Sequence, residues 1–382
     1  MNLVIDCFKL VKGAGKSIGI YNLAKSIVFH LGERAGQRPG KDSIIVLGNS
    51  YNREEFDVPG VTFVEVKGNP LNKVYCILWE LVLVAEYARR YAADRILFPR
   101  GYRPLGILMR KFFWQKGKKR LRDTILIHDL IPFYYHTHYP GVFNPVENAY
   151  IMARLKSSIK GAERIITISK YSRQDILEKV PGAGRRIRVI YNGFNDVTFQ
   201  KNGSSAGDKS NYLVAMTSSL PHKNAKGILK AYEAYYRQAS KPLDLVVIGI
   251  GDSSPYPQMD KEAASHVTFH QYIGQFDRMC QIVSGARAYL FLSYVEGFGF
   301  PPLEAMQLGV PVVCSNRSSL PEVVREAGLL VEPDDLKATA EALIRITEDK
   351  ALAQELIQKG YKNIRRFSWE SRTDLYWKEL FR

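Results

Sequence analysis

Short apolar, β-branched runs alternate with stretches of helical period along most of the chain. They fall at 3–7, 43–47, 62–66, 95–98, 124–128, 164–168 and 187–190, then at 212–215, 243–248, 267–269, 288–292, 312–314 and 329–331. The runs are continuously apolar rather than alternating, which predicts strands covered on both faces, as in parallel sheets flanked by helices. The series breaks once. Residues 200–211, QKNGSSAGDKSN, have no apolar period and are rich in Gly, Ser and Asn, as a linker is. The pattern predicts an α/β chain of two Rossmann-like parallel-sheet domains, 1–198 and 212–365, joined through 199–211. A last helix, 366–382, is expected to pack back on the first domain. Parallel sheets bind ligands at the carboxyl ends of their strands, so a central cleft between the domains is the expected site. No repeat or low-complexity tract is present.

Composition narrows this picture. A chain of 382 residues is long for a single core, and 46% hydrophobic residues suffice for two. The best membrane-span candidate, 77–85, is short and interrupted by Glu80, so no bilayer-crossing helix is expected. The opening MNLVIDCFKL carries Asp6 and lacks a cleavage pattern, so it reads as a strand rather than a signal peptide. Cys7, Cys76, Cys280 and Cys314 are scattered without a C-x-x-C, which fits a reducing cytoplasm and argues against structural zinc.

The net charge of +16 asks for an anionic partner: nucleic acid, an acidic bilayer surface or a phosphorylated ligand. Residues 110–122 concentrate seven basic and three aromatic side chains. Such a stretch suits an anionic membrane surface, a solvated face or nucleic acid. No nucleic-acid motif accompanies it, so membrane contact is the favoured expectation and nucleic acid is not expected. Near the start, Gly13-Ala14-Gly15-Lys16-Ser17 resembles the end of a P-loop, but Leu10 stands where the first glycine is needed. A strand-to-helix turn there can still offer backbone N–H groups to a phosphate or sugar.

The chemistry concentrates in residues 288–324, AYLFLSYVEGFGFPPLEAMQLGVPVVCSNRSSLPEVV. A buried strand is followed by Glu296-Gly297-Phe298-Gly299-Phe300. Pro301 and Pro302 open a helix with Glu304 in its expected first turn, and Gly309 ends it. Gly297 and Gly299 allow close backbone approach, and the helix tip suits a diphosphate. Two carboxylates beside phosphate would repel it, so they are expected to face neutral hydroxyls, one for each sugar of a nucleotide sugar. Glu304 as a mere complement to the helix dipole is the plainer alternative.

These residues resemble the retaining glycosyltransferases of family 4, whose fold is GT-B, two Rossmann-like parallel-sheet domains facing a central cleft. E-G-F-G-F-P-P-L-E looks like their E-x7-E motif, and G-V-P-V-V-C-S-N-R-S-S-L-P-E-V-V continues the match. The resemblance implies that the first domain takes the acceptor and the second the nucleotide sugar. It implies that Glu304 holds the ribose. Glu296, with the backbone of Gly297, Phe298 and Gly299, would hold the donor sugar near its reacting carbon. Pro302 has no N–H, so Leu303 is the expected backbone donor to phosphate.

Leu220-Pro221-His222-Lys223-Asn224 is similar to the family's P-R-K-N, with His222 in place of arginine. Lys223 would stabilise the departing diphosphate. Thr217 stands where some relatives carry another arginine. His128-Asp129 resembles a dipeptide whose histidine contacts the donor sugar, with Asp129 expected to orient the loop or, as the alternative, to polarise an acceptor hydroxyl. Ile166–Ser172, Ile190–Gly193 and Gly249-Ile250-Gly251 look like landmarks near strand ends, Tyr272 falls where the base is placed, and Gly19 matches part of a G-G-x-G loop.

The implied reaction is metal-independent retaining transfer of a hexose to a glycan or lipid-linked acceptor in polysaccharide synthesis. UDP-glucose is the first expected donor and GDP-mannose the second. No D-x-D is present, so no metal or other cofactor is expected. The expected location is cytoplasmic, peripheral on the inner face of the membrane. A sugar-nucleotide epimerase of the same fold and a basic nucleic-acid-binding protein are the alternatives.

Overall fold

The computed structural model describes residues 1–13, 18–37, 40, 42–105, 121–194 and 210–381. Residues 14–17, most of the basic stretch 110–122 and most of the linker 199–211 therefore lie outside the described residues. The chain divides into two compact units, Met1–Gly193 with Trp369–Arg382, and Phe194–Ser368.

The first unit is built on seven strands: β1 (Asn2–Asp6), β2 (Ser43–Gly48), β3 (Thr62–Glu65), β4 (Arg95–Phe98), β5 (Arg122–Ile127), β6 (Arg164–Thr167) and β7 (Ile187–Val189). Their order across the sheet is β3-β2-β1-β4-β5-β6-β7, and every pairing is parallel. Val4, Ile45, Ile96, Ile125 and Ile165 form part of one buried cluster, which explains why these strands read as apolar runs. The helix Trp369–Phe381 belongs to this unit. Arg95 Nη1 donates to the Glu379 carbonyl at 2.8 Å, Arg164 pairs with the Glu379 carboxylate, and His30 stacks on Trp369 with centroids 4.8 Å apart. A Cβ at Gly193 would come within 2.1 Å of the Trp369 ring, so the chain can pass there only as glycine.

The second unit carries β8 (Tyr212–Met216), β9 (Asp244–Ile248), β10 (Val267–His270), β11 (Ala288–Phe291), β12 (Val312–Ser315) and β13 (Gly328–Val331). The order is β10-β9-β8-β11-β12-β13, again all parallel. Leu213, Leu245, Leu290 and Val313 sit in its core.

Both sheets reverse their build-out direction beside their first strand, between β1 and β4 in one unit and between β8 and β11 in the other. Loops leaving adjacent strands at such a switch point diverge over opposite faces and leave a crevice at the carboxyl ends.

The stretch 77–85 is helical. It runs through Lys73–Leu78, one π-helical segment Trp79–Leu83, and Val84–Arg90. Trp79, Val84 and Ala88 enter the core, while Val74, Ile77, Leu78, Leu81 and Val82 are exposed. Among the described residues no helix is long and apolar enough to cross a membrane.

Candidate active site

At the β8/β11 switch, two loops are stitched together by polar contacts. Thr217 follows β8, its N–H donating to Ile248 O at 2.9 Å and its hydroxyl to Lys223 O at 2.9 Å. Thr217 thus shapes the lysine loop through its own hydroxyl. Gly249 has φ +113, and a Cβ there would lie 1.9 Å from Thr217 O, so only glycine lets β9 exit at this point. Asn224 adopts the left-handed region at φ 54, caps the next helix through Gly227 N–H, and donates to Leu292 O at 3.2 Å. Tyr294 N–H donates to His222 O at 2.8 Å. These bonds place Lys223 Nζ 2.6 Å from Glu296 Oε1, with side-chain exposures of 25% and 12%.

His222 is buried, and burial, with the lysine charge beside it, takes its pKa down to about 4. The residue standing where an arginine was expected is therefore a neutral core side chain at pH 7.

The glycine-rich turn is locked from the β12 side. Ser318 Oγ accepts from Glu296 N–H at 3.0 Å, and Ser319 Oγ lies 3.0 and 2.7 Å from the carbonyl oxygens of Glu296 and Phe298. Gly299 has φ +116, and a Cβ would meet Leu320 Cδ2 at 2.7 Å. The Phe298 ring is core, edge-on to Phe300 and Phe367 at 5.1 and 5.4 Å, so this loop presents backbone rather than side chain. In the helix Phe300–Gln307, Pro301 and Pro302 carry no N–H, which leaves Phe300 and Leu303 as backbone donors of the first turn. Leu303's own side chain is fully buried.

Glu304 requires a correction. The helix begins at Phe300, so Glu304 lies in the second turn, and the first turn contains no acid. This removes the helix-tip dipole as the reason for its presence, because that effect fades within one turn. Its carboxylate borders a narrow apolar pocket with Met216, Phe276, Met279, Cys280, Tyr289 and Pro301, and no described residue hydrogen-bonds to it. Burial raises its pKa above the usual carboxylate value. Gly297, Phe298, Gly299, Leu303, Glu304, Thr217, Lys223 and Glu296 therefore share one end of the second sheet. Tyr272 follows β10 and is 85% exposed.

In the first unit, a cavity of about 550 Å³ opens at the β1/β4 switch. Its lining includes Lys9 and Leu10 after β1, Arg100 and Tyr102 after β4, and His128 and Asp129 after β5. His128 Nε2 lies 2.7 Å from Pro99 O, so this nitrogen carries the proton and donates, leaving Nδ1 as an acceptor. Burial takes the ring's pKa down to about 4. Asp129 Oδ1 accepts from Ile131 N–H at 3.0 Å, ordering the loop. Ser172 Oγ donates to His128 O at 3.1 Å, and Ser169 caps the helix Lys170–Lys179. The Ile166–Ser172 landmark thus supports the histidine from behind.

Gly19 lies in the first turn of the helix Ile18–Gly36, exposed, with open space where a Cβ would go. Sequence reasoning missed Ser318, Ser319 and Asn224, although S-S-L-P-E and the left-handed preference of Asn before a helix were readable. It also missed Arg100, which carries no local signal. Among the described residues no three His, Cys, Asp or Glu side chains converge as a metal site.

Comparison with known proteins bears on this geometry. A family model described as glycosyl transferases group 1 matches residues 196–363, and one described as glycosyltransferase family 4 matches residues 28–197. The O-antigen chain mannosyltransferase RfbU of Salmonella typhimurium is 32% identical over 231 residues, 59% of this chain and 61% of its own. O-antigen chain mannosyltransferase B of Escherichia coli is 28% identical over 235 residues, 59% of this chain and 62% of its own. The matched region therefore spans less than two thirds of these relatives. Among solved structures, sucrose-phosphate synthase from Thermosynechococcus elongatus superposes with a TM-score of 0.68 at 20% identity, covering 100% of this chain and 99% of that one. Anabaena HepE, in complex with UDP and glucose, superposes with a TM-score of 0.69 at 16% identity, with 100% and 99% coverage. At these identities the two structures establish a shared fold.

Proposed function

The chain belongs to glycosyltransferase family 4, with the GT-B fold, and from that premise we propose that it transfers a mannosyl group from a nucleotide-diphosphate sugar to a growing cell-surface polysaccharide. The sugar is chosen on the names of the O-antigen mannosyltransferases it resembles. GDP-mannose thereby moves ahead of UDP-glucose as the donor. The observation that carries the reading is the Lys223–Glu296 pair, 2.6 Å apart at the β8/β11 switch beside a glycine turn and a helix tip.

The chemistry follows from charge. A diphosphate carries more negative charge than one carboxylate, so it competes for the Lys223 ammonium and frees Glu296 to accept hydroxyl bonds from the donor sugar. Lys223, with the Phe300 and Leu303 N–H groups, then stabilises the leaving diphosphate without a metal. The Glu304 carboxylate, which has no hydrogen-bond partner among the described residues, accepts from the ribose hydroxyls.

Transfer with retention breaks the bond from the anomeric carbon to the phosphate oxygen and forms the new glycosidic bond on the same face. The acceptor hydroxyl proton passes to the departing phosphate oxygen, and the nucleoside diphosphate leaves. Neutral His128, with its Nδ1 lone pair, accepts a hydroxyl bond from a sugar in the first unit.

A lipid-linked acceptor is part of the proposal. Val74, Ile77, Leu78, Leu81 and Val82 form an exposed stripe at helical spacing, bracketed by Lys73 and Arg90. That is the layout of a helix lying on an anionic bilayer surface, and the basic stretch 110–122 supports the same contact. Pelleting with phosphatidylglycerol vesicles, lost in Ile77→Asp, tests it. The free cysteines Cys7, Cys76, Cys280 and Cys314 fit a reducing compartment.

The test of the donor is a thermal shift against a panel of nucleotide sugars. GDP-mannose is expected to raise the melting temperature most. A larger shift with UDP-glucose would reassign the sugar, and no shift with any of them would overturn the reading. Conversion of a sugar nucleotide to its epimer without an acceptor would instead establish the epimerase.

A further inference from the structure

Lys9 and Arg100 are the cations that line the cavity of the first unit among the described residues, Arg154 lies over the ring of the lining Tyr102, and all but Arg100 are already matched. Lys9 Nζ lies 2.6 Å from Glu80 Oε1, and Arg154 Nη2 lies 2.8 Å from Glu80 Oε2. Arg103 is bonded to the buried Asp123 at 2.5 Å. Arg100 differs. Among the described residues no carboxylate lies within 4.0 Å of its guanidinium, and none accepts a hydrogen bond from it. It is half-buried in the cavity lining.

Its position is imposed by the local chain. β4 ends at Phe98, the Pro99 carbonyl is held by His128, and Gly101 follows with φ +78. A Cβ at Gly101 would approach Leu126 O to 3.0 Å, so this tight turn against β5 favours glycine and sets Arg100 and Tyr102 in the cavity wall. The guanidinium acts on that wall: it opposes the upward pull of burial on both the Asp6 carboxyl and the Tyr102 phenol.

A half-buried cation without a partner costs stability, and such a group is retained where a ligand completes it. The guanidinium fork matches the two oxygens of a carboxylate or phosphate. The other polar groups of the wall suit a different part of the same ligand. Asp129 and Glu147 are carboxylates, and His128 Nδ1 is an acceptor, so all three take sugar hydroxyls rather than a second anion.

We propose that this cavity binds an acceptor saccharide bearing an oxyanion, either a phosphate ester or a uronate carboxylate, and that Arg100 is the group that receives the charge. The proposal rests on the transferase reading for the word acceptor. The binding chemistry stands on the cavity alone.

The experiment is an equilibrium titration of the full chain, with GDP present, using three probes: methyl α-mannoside, glucose 1-phosphate and methyl β-glucuronide. At least one anionic probe is expected to bind ten-fold or more tightly than the neutral one. Arg100→Gln should abolish that advantage and leave the affinity for the neutral glycoside within two-fold. Arg100→Lys should keep part of it, because charge survives while the fork does not. Which anion gains more tells whether the natural group is phosphate or carboxylate. Equal affinity for all three, binding of none, or an advantage that survives Arg100→Gln would overturn the proposal. A nucleotide-sugar thermal shift on the wild type and Arg100→Gln separates the two readings. Its absence in the wild type defeats the transferase, whereas its retention in the variant shows that Arg100→Gln is folded.

Discussion

The β8/β11 switch and the β1/β4 switch occupy equivalent places in their sheets, yet they are built in opposite ways. At β8/β11 the charges satisfy one another: Lys223 meets Glu296 at 2.6 Å, and Thr217, Asn224, Ser318 and Ser319 tie the two loops together. At β1/β4 an open cavity of about 550 Å³ is lined by a neutral His128 and by Arg100, which has no carboxylate partner among the described residues. The first is a preformed ion pair, which under the proposed function a diphosphate exchanges. The second waits for its counter-charge. That contrast is what the proposed assignment requires, with the donor diphosphate at the matched charges of the second unit and the acceptor in the open cavity of the first.

The largest effect is expected from Glu296→Ala, which removes the carboxylate proposed to hold the donor sugar and leaves Lys223 without its partner in the ligand-free state. Turnover should fall by about 10³-fold or more, equivalent to roughly 4 kcal/mol of transition-state stabilisation. Steady-state kinetics with saturating donor would read it, and a loss below ten-fold would mean the clamp is structural.

Gly299→Ala should come next. With φ +116 and Leu320 Cδ2 2.7 Å from the new methyl, it should cost about 2–4 kcal/mol of stability, measured by urea unfolding. Ala at Gly19, where the helix is open, should be neutral or slightly stabilising.

The two neutral histidines compare the switches by pH. His128 and His222 have their pKa taken down to about 4 by burial, from 6.5. A His with a depressed folded-state pKa holds its full contribution above pH 6.5. It loses stability as pH falls toward 4, because only the unfolded chain takes up the proton. Each can account for at most about 3 kcal/mol over that interval. The stability difference between pH 7 and pH 4.5 should therefore shrink when either is replaced by Gln, and shrink further when both are. A variant that leaves the pH slope intact shows that its histidine is protonated in the folded protein.

Glu304→Leu is the smallest effect and the one with opposite signs. Removing a buried carboxylate without a partner should raise stability by about 1 kcal/mol, while affinity for the nucleoside diphosphate falls about ten-fold. A stability loss would mean that Glu304 is satisfied in the free protein.

Legibility in the sequence followed the same divide. All thirteen strands of the described residues appear where apolar runs placed them; the central ones, buried on both faces, leave a continuous signal, while the edge strands Thr62–Glu65 and Val267–His270 are only partly covered and were readable from their β-branched and aromatic residues. The glycine turn, its two glutamates and Lys223 were readable because they lie within contiguous segments whose residue types have local meaning. Glu304 was misplaced by a turn because helix ends are the weakest part of such reading. Arg100 was invisible. Nothing near Pro99-Arg100-Gly101 marks it, and its isolation exists only once Glu80 is known to be taken by Lys9 and Arg154. The outward stripe of 74–82 was also obscured, since a helix apolar on both sides reads like an ordinary buried one.

Whether Lys223 holds the donor diphosphate is decided by titrating GDP and GDP-mannose into Lys223→Ala and Lys223→Arg. Alanine should weaken both ligands by at least ten-fold and lower turnover by a further factor of about 10², with arginine restoring most of the binding. Unchanged affinity and turnover in a folded Lys223→Ala protein would contradict that role.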